Sequence, residues 1–440
     1  MRQLQRWAWL LLSAALVVAC SKDKAVDQPA KLTPLNATLR VQRAWETTVD
    51  DKKAVPLRLG LGIAVDGERI YAAGHKGNVL ALELNTGRVA WRTNIKAPLS
   101  GGTAAGGPLV VVGTTDGRLF ALNAADGKTR WQTRINGEVL SPAAISEHLV
   151  AVRTGDGKLR GLSPEDGHEM WVQEQPVPRL SLRGTSRPVI VGDTVLCGFD
   201  NGKVLAVNGK DGSLVWEATV TPPHGRTELE RLADIDAAVV VAGQNVYVVG
   251  FQGRVAMLAL DTGQVWWSHE LSSYRGMALD DEALYVATAE GEIVALKART
   301  GAEIWRQSAL LHRGLSAPGD MGDAIVVGDF QGYVHWLDKA SGALAARTSA
   351  GGARISNTPI AVGNLVLVQT DRGQISAYRV TPLGAPRGKT AAPAAAPPAA
   401  APAAAEPASP AATPAEGSPP ASEAAPPAAT PPDSKPPEGK

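Results

Sequence analysis

Short runs in which apolar and polar residues alternate recur along most of this chain, and a glycine turn follows each run. The run "RLFAL" at residues 118–122 is one example, and "NAADGK" after it contains the Asp and Gly of a tight turn. Alternation with a period of two indicates a strand that buries one face. The chain is therefore predicted to consist of short antiparallel strands joined by tight turns.

One formula repeats with little change: a glycine, a second glycine ten residues later, and a tryptophan four residues after that. The first glycines are Gly77, Gly117, Gly157, Gly202, Gly253 and Gly291. The second glycines are Gly87, Gly127, Gly167, Gly212, Gly263 and Gly301, and the tryptophans are Trp91, Trp131, Trp171, Trp216, Trp267 and Trp305. A seventh copy keeps Gly332 and Gly342 but has Ala346 in the tryptophan position, and an eighth stops soon after Gly373.

Successive first glycines lie 38 to 51 residues apart, which is the period of propeller blades. Each unit then forms a blade of four antiparallel strands, and radial stacking covers its apolar face. The strand "LRVQRAWETTV", residues 39–49, has no partner in the repeat and is expected to complete the eighth blade. The sequence predicts an all-β, eight-bladed propeller over residues 39–380, with a seven-bladed ring as the alternative. Ala346 is expected to loosen the seventh blade.

The amino terminus has the organisation of an export signal. Two arginines precede an apolar segment of about a dozen residues, which is too short to span a bilayer. The segment ends in "VVAC", which resembles the lipobox of bacterial lipoproteins and implies acylation of Cys20 by chains such as palmitate. We expect a signal peptide over residues 1–19, a lipidated linker over 20–38, and an outer-membrane anchor facing the periplasm, because Ser21 follows the cysteine. An ordinary signal with a chance cysteine is the alternative.

The other end of the chain, residues 381–440, is dominated by Ala and Pro and has no aromatic residue. Such a segment buries too little apolar surface to offset its ordering entropy, so it is predicted to be a disordered tail. The tail is interpreted as a solvated spacer or as a docking strand for a partner.

Composition and motifs argue against several functions. A net charge of +1 does not fit a nucleic-acid-binding protein. The pattern "DxxTGxxxW" is similar to the tryptophan-docking repeats of quinoprotein alcohol dehydrogenases, which bind pyrroloquinoline quinone, but Cys197 has no adjacent cysteine and no acidic cluster offers a calcium site. A non-enzymatic scaffold without a cofactor is favoured. The alternatives are a periplasmic quinoprotein enzyme and a propeller that binds the cell wall or a polysaccharide.

Two insertions interrupt the repeat. The distance from a tryptophan to the next first glycine is usually 24 to 27 residues, but it is 31 after Trp171 and 37 after Trp216. Both insertions, "PRLSLRGTSRP" at 178–188 and "PPHGRTELERLADIDAA" at 222–238, lie where the chain crosses from an outer strand to the next inner strand. They are expected side by side on one face of the ring, where long loops concentrate function.

The residues of these two loops have the chemistry of a protein-binding site. Leu180 and Leu182 supply apolar anchors, Arg183 supplies a bidentate donor, and Asp234 and Asp236 supply carboxylates. The alternative is that Arg183 pairs with one of these aspartates inside the chain and that the leucines pack beneath their own loop.

The stretches "LSLRGTSRP", "ELERLADID", "LLHR" and "VVGDFQGYVHW" resemble the BamB family, the lipoprotein subunit of the outer-membrane β-barrel assembly machinery. With the lipobox and the repeats, the resemblance covers residues 1 to about 380. It implies an eight-bladed propeller without catalytic residues that binds the periplasmic POTRA region of the barrel subunit BamA and supports the delivery of unfolded barrel precursors. Carried over, the BamA contact comprises Leu180, Leu182, Arg183, Asp234 and Asp236. The Ala/Pro-rich tail is not a feature of the family.

Overall fold

The computed structural model of the chain describes residues 27–50 and 61–383. The expected signal peptide, the lipidation site Cys20 and residues 384–440 of the tail lie outside the described residues. Within the described part, no helix is long and apolar enough to cross a bilayer.

The described chain forms eight antiparallel sheets of four strands each, which are the blades of the propeller. Blade 1 contains β2 (Ile63–Asp66), β3 (Arg69–Ala73), β4 (Asn78–Glu83) and β5 (Val89–Asn94). Blade 2 contains β6 (Leu99–Gly106), β7 (Leu109–Thr114), β8 (Arg118–Asn123) and β9 (Thr129–Arg134). Blade 3 contains β10 (Ala144–Ile145), β11 (Val150–Thr154), β12 (Lys158–Leu162) and β13 (Glu169–Glu174). Blade 4 contains β14 (Val189–Val191), β15 (Thr194–Gly198), β16 (Lys203–Asn208) and β17 (Leu214–Thr219).

The second half of the ring repeats this order. Blade 5 contains β18 (Val240–Ala242), β19 (Asn245–Val249), β20 (Arg254–Ala259) and β21 (Val265–Glu270). Blade 6 contains β22 (Met277–Leu279), β23 (Ala283–Ala287), β24 (Ile293–Lys297) and β25 (Glu303–Gln307). Blade 7 contains β26 (Gly319–Met321), β27 (Ala324–Gly328), β28 (Tyr333–Asp338) and β29 (Leu344–Ser349). Blade 8 contains β30 (Ile360–Val362), β31 (Leu365–Gln369), β32 (Gln374–Pro382) and, as its outer strand, β1 (Leu39–Thr48).

Pairing of the two ends of the described chain closes the ring. Strand β1 lies antiparallel to β32 in a register that runs from Leu39 opposite Pro382 to Thr48 opposite Gln374. This confirms the predicted eight-bladed propeller closed by an N-terminal strand, and the seven-bladed alternative is wrong.

The contact between neighbouring blades explains why the second glycine and the tryptophan of the repeat occur together. The indole Nε1 of Trp216 donates to the carbonyl of Leu260 in the next blade at 2.8 Å, and the ring lies on that blade's turn glycine, Gly263. A Cβ on Gly263 would stand 2.5 Å from the indole, and its φ of +69° is in the left-handed region. The same indole-to-carbonyl bond joins Trp45 to Leu84, Trp91 to Ala124, Trp131 to Pro164, Trp171 to Gly209, Trp267 to Ala298 and Trp305 to Lys339.

The contact between blades 7 and 8 is built differently. The outer strands of blade 8, β32 and β1, come from opposite ends of the chain, so no turn connects them and no turn glycine is available to receive a tryptophan ring. Ala346 occupies the tryptophan position, and Trp336 lies directly opposite it in the register of blade 7. Trp336 is fully buried and meets Tyr378 of blade 8 edge-on at 6.2 Å. The Trp336 ring thus fills the contact between blades 7 and 8 beside Ala346. The loosening of blade 7 that Ala346 predicts is not seen in the packing.

Each blade's strands run alternately up and down, which gives the ring two distinct faces. The crossing face carries the segments that lead from one blade to the next, together with the turns between second and third strands. The opposite face carries the turns between first and second strands and between third and fourth strands. Both insertions therefore lie on the crossing face.

Candidate partner-binding site

The two long crossings, residues 175–188 between blades 3 and 4 and residues 220–239 between blades 4 and 5, contact each other directly. The backbone N–H of Leu182 donates to Oδ2 of Asp234. The Cα of Gly184 faces Asp236 so closely that a Cβ there would stand 2.8 Å from a carboxylate oxygen. The structure therefore brings the two insertions together on the crossing face, side by side.

The two aspartates point inward and hold the neighbouring loop. Asp234 is fully buried, and one oxygen of each carboxyl has no hydrogen-bond partner among the described residues. Burial raises the pKa of Asp234 to about 6, although the Leu182 N–H acts in the other direction. Burial and the neighbouring Asp234 raise the pKa of Asp236 well above its ordinary value. Asp234 therefore positions the loop from below through Leu182, Asp236 packs against the loop at Gly184, and neither carboxyl forms the outer surface.

A buried ion pair that the sequence did not single out lies beside these aspartates. Arg153, in β11, approaches Asp200 at 3.3 Å and lies over the ring of Phe199, with 4.4 Å from the guanidinium carbon to the ring centroid. Burial raises the pKa of Asp200, and the positive charge of Arg153 opposes that rise. The sequence feature that could have indicated this ion pair is the charged Arg153 in the otherwise apolar, buried strand "VAVRT".

Arg183 is paired within the chain, but not with an aspartate of the adjacent loop. Its Nη2 lies 2.5 Å from Oε1 of Glu138, which is in the crossing between blades 2 and 3. The Arg183 side chain is 57% exposed and that of Glu138 is 31% exposed. The alternative in which Arg183 pairs inside the chain thus holds for a different partner, Glu138 in place of Asp234 or Asp236, and Arg183 remains accessible at the surface.

The two leucines of the first loop differ in exposure. Leu180 is 42% exposed, whereas Leu182 is only partly exposed. On the second insertion Leu229 is 63% exposed, a residue that the sequence did not single out although it is an isolated apolar residue within the polar run "RTELER". Leu180 and Leu229 are thus exposed apolar residues on two adjoining loops, and a partner could cover them.

Other reactive groups in the described chain are buried or engaged. Burial raises the pKa of the Cys197 thiol to about 12, so the thiolate is not available as a nucleophile. His335 lies 3.0 Å from Asp329, which also accepts from Arg313, and all three side chains are buried. Within residues 27–50 and 61–383, no group of three or more His, Cys, Asp and Glu residues is placed to hold a metal ion.

These features define a class: an eight-bladed propeller whose distinctive surface is a braced pair of loops on the crossing face. Comparison with known proteins narrows the class to a family. A family model described as outer membrane protein assembly factor BamB matches residues 16–98, 75–307 and 289–382. The chain belongs to the BamB family.

Individual relatives agree with this assignment. The chain is 46% identical over 374 residues to the outer membrane protein assembly factor BamB of Pseudomonas aeruginosa, covering 85% of this chain and 98% of that protein. It is 35% identical over 378 residues to BamB of Bordetella pertussis, covering 85% and 97%. The crystal structure of BamB from Moraxella catarrhalis superposes with a TM-score of 0.71 at 28% identity, over 77% of this chain and 100% of that one.

A quinoprotein shares the fold but little sequence. The quinohemoprotein alcohol dehydrogenase from Comamonas testosteroni superposes with a TM-score of 0.62 at 11% identity, over 77% of this chain and 76% of that one. At this identity the likeness shows the propeller fold alone.

Proposed function

We propose that this chain is a non-enzymatic, lipid-anchored subunit of the outer-membrane β-barrel assembly machinery. In this proposal Cys20 carries the lipid, the ring faces the periplasm, and the crossing face docks on the POTRA region of a BamA-like barrel subunit. Docking places the ring where it supports the folding and insertion of barrel precursors. Membership of the BamB family, whose relatives are named outer membrane protein assembly factors, supports the role in assembly.

The single observation that carries the docking site is the exposure of Leu180 on a loop that is fixed from below. The loop is held by Asp234 through the Leu182 N–H and from the side by the Arg183–Glu138 pair. A loop fixed in advance loses little conformational entropy on binding, so its exposed leucine acts as a preorganised anchor. In the proposal Leu180, Leu182 and Arg183 contact the partner, and Asp234 and Asp236 contribute indirectly by positioning the loop.

The test is a binding measurement between the detergent-solubilised full chain and the periplasmic POTRA region of its own BamA-like protein. The double variant Leu180→Ala/Leu182→Ala should bind at least about tenfold more weakly, because interface leucines that anchor a contact cost more than 1 kcal/mol when truncated. Calorimetric titration gives the affinity, and thermal melting followed by circular dichroism shows whether the variant is folded.

The matched control is Leu214→Ala, which truncates a leucine that is 53% exposed at the start of the outer strand of blade 4. This control should bind like the unmodified chain. A folded Leu180→Ala/Leu182→Ala variant with unchanged affinity would refute the docking site but leave the partner in place. Absence of binding by the unmodified chain would refute the partner itself.

A further inference from the structure

A cleft of about 480 Å³ lies at the border of blades 5 and 6, on the opposite face of the ring from the docking loops. Three turns border the cleft: those between β18 and β19, between β20 and β21, and between β24 and β25. Its lining includes Trp266, Met257, Gln244, Asn245, Asp261 and Arg299. Nothing in the proposed docking function uses these residues.

Trp266 has no structural task that explains its size. The neighbouring Trp267 makes the contact between blades, with its Nε1 donating to the carbonyl of Ala298 at 3.1 Å. Trp266 is instead 58% exposed, although a large apolar ring in water is unfavourable. The equivalent positions in the other copies of the repeat are Ala90, Arg130, Met170, Val215, Ile304 and Ala345. The cleft is thus the one place in the repeat where this position offers a flat aromatic surface.

The polar groups around Trp266 are of both signs and are not engaged with one another. Asp261 and Arg299 are both exposed, and they form no ion pair with each other. The amide of Gln244 lies at the same rim and adds a donor and an acceptor. The two charges cancel, so the cleft offers an aromatic platform, hydrogen-bond donors and hydrogen-bond acceptors without a net charge.

We propose that this cleft is a binding site for an uncharged saccharide. One sugar ring would stack the face that carries its C–H groups on the indole of Trp266, and its hydroxyl or acetamido groups would bond to Asp261, Arg299 and Gln244. A few convergent polar groups beside an apolar surface are typical of small-ligand sites. Because the opposite charges of Asp261 and Arg299 offset each other, neither an anionic nor a cationic ligand gains a net attraction from the pair. A proline-rich peptide is less suitable, since such ligands use grooves lined by several aromatic rings.

The test uses the full chain in detergent, labelled with 5-fluorotryptophan, and follows each indole by fluorine NMR. The probes are chitotetraose and maltotetraose, two neutral oligosaccharides with and without acetamido groups. We expect one resonance, assigned to Trp266 by its loss in Trp266→Phe, to shift saturably with a dissociation constant on the order of 1 mM. Trp266→Ala and Arg299→Ala should each weaken binding at least about tenfold, as measured by ligand-observed saturation transfer.

Ile304→Ala is the matched control, because it truncates an exposed residue at the same repeat position of blade 6. It should leave saccharide binding unchanged. The proposal is overturned if neither oligosaccharide shifts the Trp266 resonance, if Trp266→Ala binds as well as the unmodified chain, or if a decaproline peptide binds this cleft and the saccharides do not. Trp266→Ala should still bind the POTRA region normally, so this result is independent of the docking function.

Discussion

The seven regular contacts between blades and the proposed docking region, residues 175–188 and 220–239, use opposite chemistry in one ring. At the contact made by Trp216, an indole N–H meets a backbone carbonyl and the ring lies on a glycine, so no charge is involved. In the docking region Asp234, Asp236 and the Arg153–Asp200 pair are buried under a surface loop. Buried charges contribute less to stability than apolar packing does. The comparison shows a ring stabilised by its repeat and a loop positioned by groups that cost stability.

Breaking a regular contact should give the largest effect on folding. Trp216→Ala removes a buried indole and its bond to Leu260, which should lower the free energy of unfolding by about 3 to 5 kcal/mol. Urea unfolding followed by circular dichroism measures the change.

Trp266→Ala is a natural control for this experiment, because it truncates the same kind of side chain at an exposed position of the next blade. Its free energy of unfolding should stay within about 0.5 kcal/mol of the unmodified chain. Equal destabilisation by both variants would contradict the view that the repeat tryptophans stabilise the ring through burial between blades.

The regular contacts between blades could be predicted from the sequence, whereas the side-chain pairs of the two insertions could not. A regular contact joins residues whose spacing repeats, as with Trp216 and Gly263, so the repeat itself indicates strands, blades and their stacking. The contact of Arg183 with Glu138 joins residues 45 positions apart in different crossings, and no periodicity relates them. The sequence therefore left the partner of Arg183 open and did not indicate Glu138, although it correctly indicated that the two loops adjoin.

The burial of the Asp234 and Asp236 carboxyl groups could not be predicted from the sequence for a related reason. Polar residues on an insertion are usually exposed, so the sequence favoured a surface role. Their burial follows from the way residues 178–188 fold over the second loop, a tertiary contact that composition does not encode. The burial of Trp336 between blades 7 and 8 was hidden likewise, because Trp336 does not stand at the tryptophan position of the repeat and its contact with Tyr378 is tertiary.

Titration of the docking region should have the second-largest effect. The pKa of Asp234 is raised from 3.8 to about 6, so the folded state binds this proton more tightly than the unfolded state does. The stability that protonation contributes is therefore fully present below about pH 4 and is lost as the pH rises through 6. Asp234→Asn keeps an acceptor for the Leu182 N–H without the charge. As the pH rises from 4.5 to 7.5, the free energy of unfolding of Asp234→Asn should therefore increase by about 1 to 2 kcal/mol relative to that of the unmodified chain.

Urea unfolding of both proteins at several pH values across this range checks the prediction. Asp236 and Asp200, whose pKa values burial also raises, should leave part of the pH dependence in the variant, opposed by the charge of Arg153. A constant difference between the two proteins from pH 4.5 to pH 7.5 would mean that Asp234 is ionised normally in the folded state.

Removing the Arg183–Glu138 pair should have the smallest effect on folding. Both side chains are partly in water, and exposed ion pairs typically contribute between about 0 and 1 kcal/mol. A double-mutant cycle with Arg183→Ala and Glu138→Ala, measured by urea unfolding, should give a coupling energy within that range.

Glu138→Ala frees Arg183 without altering the leucines, so the same proteins separate a bracing role from a contact role in POTRA binding. If Arg183 touches the partner, Arg183→Ala should weaken binding clearly more than Glu138→Ala does, whereas equal losses from both substitutions would mean that the pair acts only by holding the loop in place.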